Sequence, residues 1–215
     1  MQSGRPWIGV AVALLAGVSI AMGEGPESAA ATAGKEKDGM STVTFKGSRV
    51  EIAGQVPRVG TVAPPFKLTG ADLTDVGLDH FGGKTKILNI VVSLDTHVCE
   101  LSAKRLNEEV SKLKDTVLIN ISADLPFAAK RFCESLSLDN IVTLSTMRGG
   151  SFGRDYGVQL ATGPLAGLMS RAVIVLDSGN KIVYAELVPE ISHEPNYDAA
   201  LAAARSAESK AGQKP

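Results

Sequence analysis

The chain has 215 residues and a formal net charge of −1, with 22 basic and 23 acidic side chains interspersed along it. That balance excludes a basic stripe for nucleic acid or for an anionic membrane surface. Hydrophobic residues make up 44%, enough for one well-buried core. Arg5 stands ahead of an unbroken apolar run from Trp7 to Gly23, the pattern of a secretory signal. Ala21 and Gly23 are small and correctly spaced for cleavage after Gly23, and Ala29 to Ala33 offer a second site. The alternative is an uncleaved membrane anchor, because the run has about the minimum length that spans a bilayer. It holds no cysteine, so it carries no lipid on sulfur. Residues 24–41, rich in Ala, Gly, Glu and Lys, read as a flexible linker. Residues 42–215 then form one domain.

Within that domain, Thr42–Phe45 and Arg49–Ile52 flank Lys46-Gly47-Ser48 and predict a β-hairpin. Gln55 to Pro65 is a Pro- and Gly-rich loop, Phe66 to Leu68 a short strand, and Asp72 to Phe81 a turn-rich connection. Ile87 to Leu94 is continuously apolar, as a strand buried on both faces requires. Cys99, Ala103, Leu106, Val110 and Leu113 recur at helical spacing after it, and Asp95 or Thr96 is positioned to cap that helix. Thr116–Ile121 predicts a strand, Pro126–Leu136 a helix with proline in its first turn, and Ile141–Thr146 a third strand. Ser151 to Tyr156 predicts a short helix and Gly157 to Gly167 a loop. A hairpin of Ala172–Leu176 and Lys181–Val188 turns at Asp177-Ser178-Gly179-Asn180, and an Ala-rich helix runs from Tyr197 to about Ser209. This order implies an α/β fold with a mixed central sheet flanked by helices and an N-terminal β-hairpin, a thioredoxin-like arrangement.

The chain has two cysteines, Cys99 and Cys133. In an exported protein their simplest role is a structural disulfide. Cys99, however, sits where a strand gives way to a helix, and the partial positive charge at a helix N-terminus favours a thiolate. Histidines 80, 97 and 193 are scattered without ligand spacing and imply no metal, although His97 lies close enough in sequence to tune Cys99. Phosphate-loop spacing and a Ser/His/Asp set are both missing from the sequence.

The segment Asp95-Thr96-His97-Val98-Cys99 resembles the active-site motif of the peroxiredoxins, specifically their thiol peroxidase subgroup. Ile121 to Ala128, Arg131-Phe132-Cys133, Thr143 to Thr146, Gly163 to Leu168 and Leu187 to Pro195 resemble the same subgroup in the same order. The resemblance implies that Cys99 is the peroxidatic cysteine, and that Cys133, 34 positions later, is the resolving one. It implies that Thr96 and Arg171 complete the catalytic set. On this reading Cys99 attacks hydrogen peroxide or an alkyl hydroperoxide and becomes a sulfenic acid. Cys133 condenses with it to an intramolecular disulfide, which thioredoxin or a thioredoxin-like donor reopens. No metal, haem or flavin is implied, since thiolate and oxygen chemistry suffice. A homodimer is implied by the subgroup, a periplasmic location by the N-terminal signal, and membrane contact only if that signal is uncleaved. The rival readings are a non-turnover peroxide sensor with a regulatory Cys99–Cys133 disulfide, and a thiol–disulfide oxidoreductase, which the lack of a Cys-x-x-Cys motif disfavours. One departure stands out: Val92 occupies a position, seven before Cys99, where the family has proline. Apolar Leu165 and Leu168 either flank the pocket or belong to core or dimer contacts.

Overall fold

Strand β5 (Thr85–Ile90) is buried at every residue, and its side chains alternate between two cores. Ile87 joins one cluster with Leu118, Val173 and Val175, while Leu88 and Ile90 join the other with Ile119, Ile121 and Ile174. In the computed structural model, which describes residues 41–212, β5 is an interior strand of a seven-stranded sheet. Strands β6 (Thr116–Ser122) and β7 (Ile141–Ser145) continue parallel to it. Strands β9 (Ala172–Leu176) and β10 (Ile182–Leu187) close one edge antiparallel. Strands β3 (Lys67–Gly70) and β4 (Asp75–Gly77) close the other. This is the mixed, helix-flanked, thioredoxin-like sheet the sequence predicts.

Helices α1 (His97–Val110) and α4 (Tyr197–Ala211) bury Leu106, Val110, Ala200, Leu201 and Ala204 on one face. The short α3 (Phe152–Asp155) covers the opposite face, with Phe152 and Tyr156 stacked 4.5 Å apart. Helix α2 (Pro126–Leu136) packs near β7 and the β5–α1 junction. The hairpin β1 (Thr42–Phe45) and β2 (Ser48–Ala53) does not join the main sheet. It pairs instead with β8 (Gln159–Leu160), inside the segment read from sequence as a loop.

Further boundaries differ from the sequence reading. Strand β5 ends at Ile90, not Leu94: Val91 and Val92 remain buried but leave the ladder, and the chain turns over Ser93 to Thr96. Asp72 to Phe81 contains β4 and a one-turn 3₁₀ helix, Leu78–Phe81. Leu113 lies beyond the end of α1 yet still packs on the same core. The expectations for residues 1–40 fall outside the described residues.

Candidate active site

Parallel strands present their C-terminal ends as a ready site, because the loops that leave them cluster there. Here β5 delivers Val91 to Thr96 to that edge, and β6 delivers Ser122 to Leu125 beside them. Strand β9 runs antiparallel to β5, with Ala172 opposite Ile90, so Arg171 enters the same edge from the other direction. Three of the four residues singled out from sequence therefore meet, Thr96 and Cys99 from one segment and Arg171 from 72 positions further along the chain.

Cys99 lies in the first turn of α1 and is fully buried, its side chain clustered with Val91, Leu94 and Ala129. Thr96 occupies the N-cap position with extended backbone, but its hydroxyl makes no cap bond. It lies 2.8 Å from Cys99 Sγ and 3.2 Å from the Ser93 carbonyl oxygen, the two acceptors within reach of its one proton. The expected capping role is displaced: the hydroxyl serves the sulfur instead. Arg171 is 3% exposed, and its Nη1 stands 3.5 Å from the same sulfur while Nε donates to the Ile191 carbonyl at 2.9 Å. Among the described residues no carboxylate forms an ion pair with Arg171. With no carboxylate beside it, the guanidinium places a fixed positive charge next to the Cys99 sulfur.

Cys133 does not join this cluster. Both cysteines are free thiols. Cys133 lines a separate cavity of about 400 Å³ with Thr143, Val76, His80, Lys130 and Glu134. Burial there pushes its thiol above the ordinary cysteine range, and a hydrogen bond with the Thr143 side chain offsets part of that. The neighbouring Phe132 faces the other way. It packs against the Cys99 cluster and lines a cleft of about 350 Å³ with Leu94, Thr96, His97 and Glu100.

The family model for redoxins matches residues 58–201. A thiol peroxidase of Mycobacterium bovis is 47% identical over 164 residues, 76% of this chain and 98% of that protein. The chain belongs to the thiol peroxidases of the peroxiredoxin family. Among solved structures, a peroxiredoxin-like protein from Aquifex aeolicus superposes with a TM-score of 0.72 at 36% identity, covering 78% of this chain and 98% of that one. A thiol peroxidase from Chromobacterium violaceum gives 0.72 at 27% identity, covering 79% and 98%.

In this thiol peroxidase Val92, at the position where the resemblance implies proline, is 5% exposed and packs with Val43, Val50, Ile52, Leu160 and Ile191. Leu165 and Leu168 pack against that same cluster, which assigns them to a core beside the site. His97 is exposed on the rim of the cleft. One residue has a role the sequence reading did not assign. Asp124 accepts from Ser93 Oγ at 2.9 Å and from the Leu94 amide at 2.7 Å, so its carboxylate pins the loop that leads into Cys99. It stands within Ile121 to Ala128, a stretch that marks the family, but nothing in local sequence pairs it with a loop 30 residues upstream.

Proposed function

We propose that this chain reduces hydrogen peroxide and alkyl hydroperoxides through a Cys99–Cys133 thiol cycle. The observation that carries the reading is the pair of donors on one buried sulfur: the Thr96 hydroxyl and the carboxylate-free Arg171 guanidinium. Together with the N-terminus of α1, they stabilise negative charge on sulfur in a place that water does not screen. The thiolate attacks the distal peroxide oxygen, the O–O bond breaks, and the departing oxygen takes a proton to leave as water or alcohol. Cys99 is left as a sulfenic acid. Thr96 and Arg171 hold the peroxide and stabilise charge on the departing oxygen. Cys133 then condenses with the sulfenic acid to form a disulfide and release water. A dithiol donor, thioredoxin or a thioredoxin-like protein, reopens the disulfide by exchange.

The apolar run from Trp7 to Gly23 supports export to the periplasm, where a thioredoxin-like protein serves as donor in place of thioredoxin. Family membership and the exposed apolar side chains Leu125, Phe127 and Met147 support a homodimer. A second reading, a peroxide sensor oxidised once and not recycled, draws on Cys133 lying in its own cavity and on Val92 replacing the family's proline. Peroxide consumption with excess dithiol separates them: many equivalents per chain support the enzyme, and a single equivalent the sensor. Without added dithiol, Cys99→Ser consumes no peroxide, while Cys133→Ser is oxidised at Cys99 and does not form the intramolecular disulfide that wild type forms. An intramolecular disulfide that never forms in wild type removes the resolving role.

A further inference from the structure

The loop from Ser93 to Thr96 carries the hydroxyl that meets the reactive sulfur, yet it belongs to neither a strand nor a helix. Its shape must be held from outside. Thr96 Oγ1 lies 3.2 Å from the Ser93 carbonyl oxygen, and the amide of that same peptide group, Leu94 N, donates to Asp124 Oδ2 at 2.7 Å. A peptide group is planar, and among the described residues none is cis, so this N–H and C=O point in opposite directions. Asp124 and Thr96 thus meet one rigid plate from its two sides. A rotation that moves the Leu94 amide moves the Ser93 carbonyl with it, and so moves the acceptor that shares the Thr96 proton with Cys99 Sγ. We propose that Asp124 is a positioning residue of the peroxide reaction: by holding the Ser93–Leu94 peptide group it sets where the Thr96 hydroxyl meets the Cys99 sulfur. The inference rests on the reading of Cys99 given under the proposed function.

The base of this grip is stiff. Asp124 N donates to Ser122 Oγ at 3.2 Å, and the Asp124 carbonyl accepts from Ser145 Oγ at 2.6 Å, so its backbone is fixed to the ends of β6 and β7. Its second carboxylate oxygen accepts from Ser93 Oγ at 2.9 Å, and that hydroxyl oxygen accepts in turn from the Asp95 amide at 3.3 Å. Among the described residues no cation forms an ion pair with Asp124. Its charge therefore goes into bonds to the loop, and bonds to an ionised acceptor are about twice as strong as neutral ones. A negative charge here does nothing to favour a second one on Cys99, so what Asp124 contributes is position and not charge. That makes the role separable. Removing the grip slows a reaction that needs an aimed Thr96, and spares one that needs only an ionised sulfur.

The test compares two second-order rate constants of reduced Cys99, one with hydrogen peroxide and one with iodoacetamide, both read by mass spectrometry of the Cys99 peptide. Alkylation requires the thiolate but no aimed hydroxyl. Asp124→Ala removes both acceptors and lowers the peroxide constant about 10²-fold, the cost of a displacement of about 1 Å near the reacting atoms, while the alkylation constant stays within about threefold. Asp124→Asn still offers an oxygen to the Leu94 amide, and Ser93 Oγ turns to accept from its Nδ2, so this variant keeps most of the peroxide rate. In a Thr96→Val chain the Asp124→Ala change costs nothing further, because it acts through the hydroxyl already removed. Four results overturn the proposal: an unchanged peroxide constant in Asp124→Ala, a fall in step with alkylation, an equal loss in Asp124→Asn, or the full loss again on top of Thr96→Val. Where Asp124→Ala does not fold, Asp124→Glu decides by the same two constants, since it keeps the charge and its longer chain displaces the peptide group. Wild-type Cys99 reacting with peroxide no faster than a free thiol overturns the proposed function itself, a result distinct from these.

Discussion

Thr96 shows how one side chain can be diverted from a structural task to a chemical one. A threonine at an N-cap ordinarily satisfies an orphan amide of the first turn, a bond worth about 1 kcal/mol. Here that bond is not made, and the hydroxyl faces Cys99 Sγ instead. Valine is nearly isosteric and lacks only the hydrogen-bonding group, so Thr96→Val isolates this contact. It lowers kcat/KM for peroxide by about 10²–10³-fold, the scale of one lost transition-state donor. The melting temperature stays within a few degrees, because no cap bond is lost. Thr96→Ser keeps the hydroxyl and most of the rate. Stopped-flow consumption of peroxide beside a thermal melt reads both quantities, and an undiminished rate in Thr96→Val removes the contact from the mechanism.

Helix α2 carries the corresponding argument at the level of an element. Serine in the left-handed conformation costs about 1 kcal/mol relative to glycine, which meets no steric penalty there and is the favoured residue just past a helix end. Ser137→Gly therefore raises the melting temperature by a few degrees in differential scanning calorimetry, and a lower value shows that Ser137 earns its place through its side chain. The same elements show what a sequence makes legible. The cores of β5, α1 and β9 announce themselves because apolar periodicity reports burial directly. The end of β5 does not, because Val91 and Val92 stay buried after leaving the ladder, and hydrophobicity cannot distinguish a paired strand from a buried loop. Strand β8 escapes for the opposite reason: its two residues exist as a strand only because β2 lies alongside. Thr96 and Arg171 were legible through family resemblance. Asp124 was not, since its role rests on which loop the fold brings to it.

Across the whole molecule, the N-terminal hairpin is tied to the active site through Glu190. Its carboxylate accepts from the Lys46 and Gly47 amides, each at 3.1 Å, from Thr44 Oγ1 at 2.8 Å and from the Ser192 amide at 3.1 Å. Thr44 and Ile191 also exchange backbone bonds with this segment, Thr44 N to the Pro189 carbonyl and Ile191 N to the Thr44 carbonyl. The Ile191 carbonyl in turn holds Arg171 Nε. Glu190 thus fastens a distant hairpin to the strap that orients the guanidinium. Partial burial works against its ionised form, but the donors outweigh it and hold the carboxyl down at about 2. An unfolded glutamate titrates near 4.3, so the folded state gains stability from this group above that pH and loses it as the pH falls from about 4.3 toward 2. Glu190→Gln cannot ionise and lacks one acceptor oxygen. Its melting temperature falls below that of wild type by several degrees at pH 7, and the gap narrows on acidification, mostly below pH 4.3. Melts of the two proteins across pH 7 to 2.5 measure the gap, and a difference that stays constant over that range shows that the Glu190 charge does not fasten the hairpin.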